Sequence, residues 1–378
     1  MERVEFVYFD AGGGHRAAAT ALRIVAEQQL QWDVHLMNLQ ELLDSIDPVL
    51  KLAGLRLQDL YNWLLKKGWT WGTAFGLRAL HAAIRLYHPY QVRLLAGHWR
   101  KNQPALVISL VPHFNRAIFE SLRRAMPVTP FVTVLTDLAD YPPHFWLERQ
   151  DQFVICGSEL AVAQACSLGL REDQVYKTSG MILHPKFNQP ITVDRAVERQ
   201  RLGLDPTLPT GLVMFGGHGS SVMVKIARRL EASKLKLQLI LICGHNERLA
   251  AELRGMQGRL RKYVEGFTTD VPYYMHLCDF FIGKPGPGSI SEALAMKLPV
   301  IVERNAGTLP QERYNADWVL TKQVGLVVSN FCQITQTVEE LLDPANFARY
   351  RSNAAAMNSR AVFEIPDMLR EILKKAAP

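Results

Sequence analysis

Short β-branched or aromatic runs alternate with longer amphipathic stretches from one end of this chain to the other. That alternation constrains the fold more than any other feature. Apolar runs long enough for one buried strand, each followed by a helical stretch, are the pattern of parallel sheets covered by helices. In the first half the strand-like runs are 4–9, 33–36, 105–110, 130–136 and 152–156; in the second they are 211–215, 237–243, 279–283, 299–303 and 325–328. A polar, proline-containing stretch, 184–209, separates the two series. A chain of 378 residues also exceeds one ordinary core. Two doubly wound α/β domains are therefore expected, 1–190 and 205–345, with an amphipathic segment, 346–378, packing back on the first.

One segment breaks the rhythm. Between Pro48 and Lys101 there is no strand candidate, only helical periodicity. Leu52, Leu55, Leu60, Trp63 and Leu64 make one stripe, and Leu77, Leu80, Ile84 and Tyr87 make another. Trp69, Trp71 and Phe75 lie between them, and Asp59 is the single acid among nine bases that include Lys66, Lys67 and Arg78. Basic amphipathic helices with tryptophans suit a membrane interface, where apolar area inserts and cations meet lipid phosphates. A helical insertion packed on the sheet with a solvated basic face fits the periodicity equally; the one-sided charge favours the membrane.

The formal charge of +7 calls for an anionic partner, a phosphate ligand or an acidic surface. No nucleic-acid-binding module accompanies it, so no nucleic acid is expected. The five cysteines are scattered without a C-x-x-C pair, which argues against a disulfide framework or a zinc site. No apolar leader precedes the first strand, and no apolar run is long enough to span a bilayer. These readings predict a cytoplasmic protein, peripheral on the cytoplasmic face of the membrane.

Glycine turns follow strands at three places. The first strand runs into Gly12-Gly13-Gly14-His15-Arg16 and then a helix. The glycines let a ligand approach the backbone at a helix start, and His15 is a candidate proton acceptor, ordinarily half neutral near pH 6.5. The spacing is not that of a dinucleotide fingerprint. Gly216-Gly217-His218-Gly219-Ser220-Ser221 follows the first strand of the second domain and suits a diphosphate, or else is a tight turn with a serine cap. Lys284-Pro285-Gly286-Pro287-Gly288-Ser289-Ile290-Ser291-Glu292 is the most informative. Ser289 and Glu292 have the spacing of a capping box. The competing reading puts the glycines against phosphate and Glu292 on a ribose diol, and it also accounts for the glycines and Lys284. Farther on, Pro310-Gln311-Glu312 reads as a helix start or as a pair of sugar-binding side chains.

Taken together and in order, these elements resemble the monogalactosyldiacylglycerol synthase family and, more distantly, the peptidoglycan lipid-intermediate N-acetylglucosaminyltransferases. The likeness runs through Gly12–Arg16, the aromatic insertion, Thr136-Asp137-Leu138, Cys156-Gly157-Ser158-Glu159, Gly266-Phe267-Thr268, Lys284–Leu294 and Gln311-Glu312 with Asn315. It implies a GT-B fold, two Rossmann-like domains facing across a cleft with a helical insertion in the first. It implies a UDP-sugar donor on the second domain: Gly216, Gly217, Ser220, Gly286, Gly288, Ser289 and Ile290 at the diphosphate, Phe267 and Thr268 at uracil, Glu292 at ribose, Gln311 and Glu312 at the hexose. A diacylglycerol acceptor would meet Gly13, Gly14 and His15, with Trp63, Lys66, Lys67, Trp69, Trp71 and Arg78 at an anionic membrane. The family's second turn has a Gly-Gly-Gly-Glu-Gly character; here His218 interrupts it. His-Pro is reversed to Pro112-His113, and Leu309-Pro310 replaces the glycine before Gln-Glu.

The chain has no D-x-D triplet, so no bound metal or other cofactor is expected. Helix N-termini, amides and Lys284 would then meet the leaving diphosphate. An inverting hexosyl transfer to lipid follows, with His15 or Asp137 as base. A UDP-N-acetylglucosamine-using lipid-intermediate transferase, a nucleotide-sugar 2-epimerase and a non-catalytic lipid- or nucleotide-binding protein are the alternatives.

Overall fold

The structure, a computed structural model, describes residues 2–10, 13–44 and 73–376, with side chains of the helix that starts at Thr73 described from Tyr87 onward. It divides into two compact units, Met1–Pro185 with Leu309–Gln311 and Ser359–Pro378, and Lys186–Thr308 with Glu312–Asn358. The first contains β1 (Arg3–Tyr8), α1 (Gly14–Leu30), β2 (Asp33–Asn38), α2 (Leu39–Leu43) and α3 (Thr73–Asn102). It continues with β3 (Leu106–Ser109), α4 (Asn115–Ala125), β4 (Phe131–Val134), β5 (Phe153–Cys156), α5 (Glu159–Ser167) and β6 (Val175–Lys177). All six strands are parallel, in the order β2-β1-β3-β4-β5-β6.

The second unit opens with α6 (Arg195–Arg201), β7 (Thr210–Met214), α7 (Val222–Ala232), β8 (Gln238–Ile242), α8 (Glu247–Gly255) and β9 (Arg261–Glu265). There follow α9 (Val271–His276), β10 (Phe280–Gly283), α10 (Pro287–Ala295), β11 (Val300–Glu303), α11 (Pro310–Thr321) and β12 (Gly325–Val328). The chain ends with α12 (Ile334–Leu342), α13 (Pro344–Ala356) and α14 (Ala361–Ala376). This sheet too is parallel throughout, ordered β12-β11-β10-β7-β8-β9.

Central strands such as β3, β4, β7, β8 and β10 are buried along their whole length. Helices cover both faces of a parallel sheet, so such strands read as near-continuous apolar runs. In the first unit α1 and α14 pack on one face, where Leu22, Val25, Leu369 and Ile372 meet Phe6 and Ile108. The other face carries α3 and α4, with Leu95, Trp99 and Ile118 against Val7 and Val107. The segment expected as one tail from about 346 is two helices broken at Met357–Arg360; Tyr350 and Ala354 of α13 are buried, with Tyr350 in the second unit's core, while α14 belongs to the first.

Two strands, β6 and β9, escaped the sequence reading. Both are sheet edges, and their residues are largely half-exposed and partly charged, so neither makes an apolar run. The insertion's first stripe, with Trp63, Lys66, Lys67, Trp69 and Trp71, lies outside the described residues. Arg78 falls within α3, but its side chain is also outside them.

A buried ion cluster ties α6 to the lower end of the second sheet. Asp279 accepts from the Arg195 and Arg199 guanidinium groups, each at 2.7 Å, and from the Thr210 amide at 2.8 Å. Arg199, almost wholly buried, also donates to the carbonyls of Leu277, Pro206 and Leu208.

Candidate active site

In an open parallel sheet, ligands gather beyond the carboxyl ends of the strands, where the chain reverses its direction of winding. In the second unit that point lies between β7 and β10, which pair directly. The glycine turns singled out in the sequence are the ones that leave these two strands. They lie close: a Cβ on Gly216 would stand 3.9 Å from Cε of Lys284. Beyond the second turn, α10 begins with Gly286 as its N-cap and Pro287 as its first residue. The first-turn amides of Gly288 and Ser289 have no intrahelical acceptor, which leaves them and the positive end of the helix dipole for an anion.

The capping box expected from Ser289 and Glu292 does not form. The helix starts three residues earlier, at Pro287, whose fixed φ suits the first helical position. Ser289 Oγ donates instead to the Gly286 carbonyl at 3.2 Å. Among the described residues the Glu292 carboxylate has no hydrogen-bond or ion-pair partner, and burial pushes its pKa up to about 7. A desolvated carboxylate with no structural task is the mark of a ligand-binding group.

Glu312, buried in the first turn of α11, reaches Lys284 Nζ at 3.2 Å. Its first-turn position is favourable, as expected, but its charge is used across the site. Gln311 precedes it in the same turn and is partly buried. Asn315, fully buried one turn farther on, donates from Nδ2 to the Pro285 carbonyl at 2.8 Å and so fixes the β10–α10 turn. Its Oδ1 is buried with no partner among the described residues.

At the other turn, the predicted serine cap is only partial. Ser221 is the N-cap of α7 without a side-chain bond, and Ser220 Oγ accepts from the Val222 amide at 3.3 Å. Beyond β9 the Phe267 ring, 57% exposed, stacks on His245 at 3.9 Å with 16° between planes. A cavity beside them is lined by Gly244, His245, Glu247, Arg254, Glu265 and Phe267. Thr268 Oγ1 accepts from the Asp270 amide within the next loop. His245 was not singled out in the sequence, where a lone Gly-His-Asn after a strand carries no signal.

In the first unit the winding reverses between β1 and β3. His15 lies one residue into α1, just past Gly13, the left-handed N-cap with φ 82°. Its Nδ1 is 2.9 Å from Thr136 Oγ1 in the loop that leaves β4, and its ring lies 5.7 Å from that of Trp146. Burial pushes the imidazole pKa down to about 4, against a hydrogen bond to the Leu110 carbonyl that raises it. The ordinary value assumed from sequence is thereby corrected: His15 is neutral throughout the physiological range.

Asp137, two residues after the end of β4's neighbour Leu135, accepts from the Trp146 indole N–H at 2.9 Å. Trp146 is fully buried, and its own backbone amide donates to Asp140 at 2.6 Å. Burial raises the Asp140 pKa against bonds from the Trp146 and His144 amides. Trp146 thus touches both proposed bases, a link that sequence spacing does not disclose.

Residues 212–372 match the profile of the Glycosyltransferase family 28 C-terminal domain. A curated relative, the chloroplastic monogalactosyldiacylglycerol synthase of Spinacia oleracea, is 29% identical over 99% of this chain and 73% of its own length. The chain is similar throughout to the monogalactosyldiacylglycerol synthases. The solved structure of Acinetobacter baumannii MurG superposes with a TM-score of 0.65 at 12% identity, covering 98% of this chain and 100% of that one. The Neisseria meningitidis UDP-GlcNAc 2-epimerase bound to UDP-GlcNAc gives 0.64 at 13%, covering 99% and 100%. The fold is GT-B and the chain a glycosyltransferase. One expectation is overturned: the relatives are named chloroplastic, which points to the chloroplast and away from the cytoplasm.

Proposed function

We propose that the chain transfers a hexose, galactose or glucose, from a UDP-sugar to 1,2-diacylglycerol with inversion, giving a β-glycosyl lipid. The observation that carries the reading is Glu292. It stands on the helix that follows the second of two neighbouring glycine turns at the reversal point of the second sheet, desolvated and without a partner among the described residues. Ribose hydroxyls are donors that would satisfy it. The Gly288 and Ser289 amides and Lys284 suit the diphosphate, the exposed Phe267 ring suits uracil, and Gln311 and Glu312 suit the hexose. The names of the curated relatives support the lipid acceptor.

In this reading the His15 imidazole takes the proton of the acceptor hydroxyl. The freed oxygen attacks the anomeric carbon as its bond to the diphosphate breaks, and UDP leaves with that electron pair. No step is routed through a metal. His15 is favoured over Asp137 by its position, just past the glycine turn at the carboxyl end of β1, and Asp137, which accepts from the Trp146 indole, is cast as an orienting anion. The basic segment 48–101 is assigned to an anionic membrane surface, where the acceptor resides.

The test is incubation with UDP-galactose, UDP-glucose and UDP-N-acetylglucosamine in diacylglycerol-containing vesicles, with products identified by mass and anomeric configuration by NMR. A β-hexosyl diacylglycerol with release of UDP is expected. An α-linked product would refute inversion. Epimerised nucleotide sugar without any lipid product would refute the transfer itself.

A further inference from the structure

The turns at the donor site are short of permanent positive charge. Residues 215–221, 243–247, 265–270 and 284–289 hold one lysine or arginine, Lys284, and its ammonium is paired with Glu312. A nucleotide-sugar diphosphate carries two negative charges through the neutral range. The same turns hold two histidines, and the fold locks them together. The His245 amide donates to the Gly217 carbonyl at 2.9 Å, and Asn246 Nδ2 donates to the His218 carbonyl at 3.3 Å. Gly244, with φ +59°, lets the loops touch; a Cβ there would stand 2.2 Å from the Gly217 oxygen. The two imidazoles lie 6.3 Å apart at the carboxyl ends of β7 and β8, next to the amides of the first glycine turn.

We propose that His218 and His245 in their protonated forms supply the cationic charge that holds the donor's diphosphate in this chain. The inference rests on the UDP-sugar reading above. The charged groups on the surrounding elements include Glu247 and Arg248 at the head of α8, Arg254 farther along it, which lines the cavity beside His245 and donates to the Val264 carbonyl at 3.1 Å, Glu265 at the end of β9, Asp270 beyond it, the Lys284–Glu312 pair, and Glu292 on α10. Of these, Glu292, whose pKa burial raises to about 7, acts in the opposite sense. A ribose hydroxyl binds the ionised carboxylate better, so its contribution grows as pH rises.

Uridine and UDP-glucose separate the two effects, because uridine has the ribose but no phosphate and the diphosphate diester of UDP-glucose has no ionisation near neutrality. Affinities of the folded protein for both are measured between pH 5.5 and 8.0, UDP-glucose by calorimetry and uridine by NMR titration. The ratio of UDP-glucose to uridine affinity should be about tenfold higher at pH 5.5 than at pH 8.0, the size of one charge-assisted hydrogen bond gained. In the double variant His218→Asn, His245→Phe, which keeps an aromatic ring on Phe267, the ratio should become flat with pH. A flat ratio in the unaltered protein, or an unchanged slope in the double variant, overturns the inference and leaves the UDP-sugar reading standing. Absence of UDP-glucose binding at every pH overturns both.

Discussion

Replacing Glu292 by glutamine keeps the shape of the side chain and removes its ionisation, with two consequences of opposite sign. Folding carries the carboxyl from its ordinary 4.5 to about 7 because burial disfavours the charged form. The folded state therefore holds its proton more tightly. The neutral form's advantage is fully present below pH 4.5 and is lost as pH rises through 7. The move from 4.5 to about 7 makes the ionised carboxylate cost about 3 kcal/mol above pH 8. Glu292→Gln should accordingly be more stable than the parent by up to about 3 kcal/mol at pH 8 in urea unfolding, and the difference should fade toward pH 5. Its affinity for UDP should fall by about 1–3 kcal/mol, roughly 5- to 150-fold, because hydrogen bonds to a charged acceptor are lost. Ribose binding favours the ionised form, so uridine binding by the parent near pH 7 should release a fraction of a proton, detectable as a buffer-dependent heat in calorimetry. Glu292→Gln should release none. A variant that is less stable at pH 8, as loss of a helix cap would make it, with UDP affinity intact, would refute this reasoning.

Further outcomes follow from other parts of the structure. His15→Ala should lower turnover about 10²–10⁴-fold while leaving UDP affinity unchanged; retained turnover at saturating acceptor would transfer the role of base to Asp137. With its pKa near 4, the His15 limb of the rate profile should rise between pH 4 and 5 and be flat from 6 to 8; a limb near 6.5 would contradict the burial. Asp279→Asn leaves Arg195 and Arg199 without their carboxylate and should cost about 3–5 kcal/mol in denaturant unfolding, as for a broken buried pair. Binding to vesicles should require anionic lipid, fall with added salt, and weaken when Lys66, Lys67 and Arg78 are replaced by glutamine; equal binding to neutral vesicles would remove the electrostatic part of that proposal.

The amino-acid sequence by itself determined the class of architecture and the turns that make up the candidate site. Strands buried on both faces are predominantly apolar, so β1, β3, β4, β7, β8, β10 and β11 announce themselves as near-continuous runs, and glycines mark turns that leave β1, β7 and β10. Edge strands β6 and β9 stayed silent because half their surface is wet. Tertiary structure alone decided which turns meet. β7 and β10 are neighbours although two strands and three helices intervene in the chain, so Gly216 comes to lie beside Lys284. It also decided what each polar group does there. Ser289 and Glu292 fit a capping box by spacing, yet Pro287 starts the helix earlier and leaves Glu292 unpaired among the described residues. Lys284 found Glu312, Asp137 found Trp146, and His15 lost its ordinary pKa. Periodicity reports how one segment meets the core; pairing and desolvation depend on groups distant in sequence, brought together only when the sheet closes its strand order.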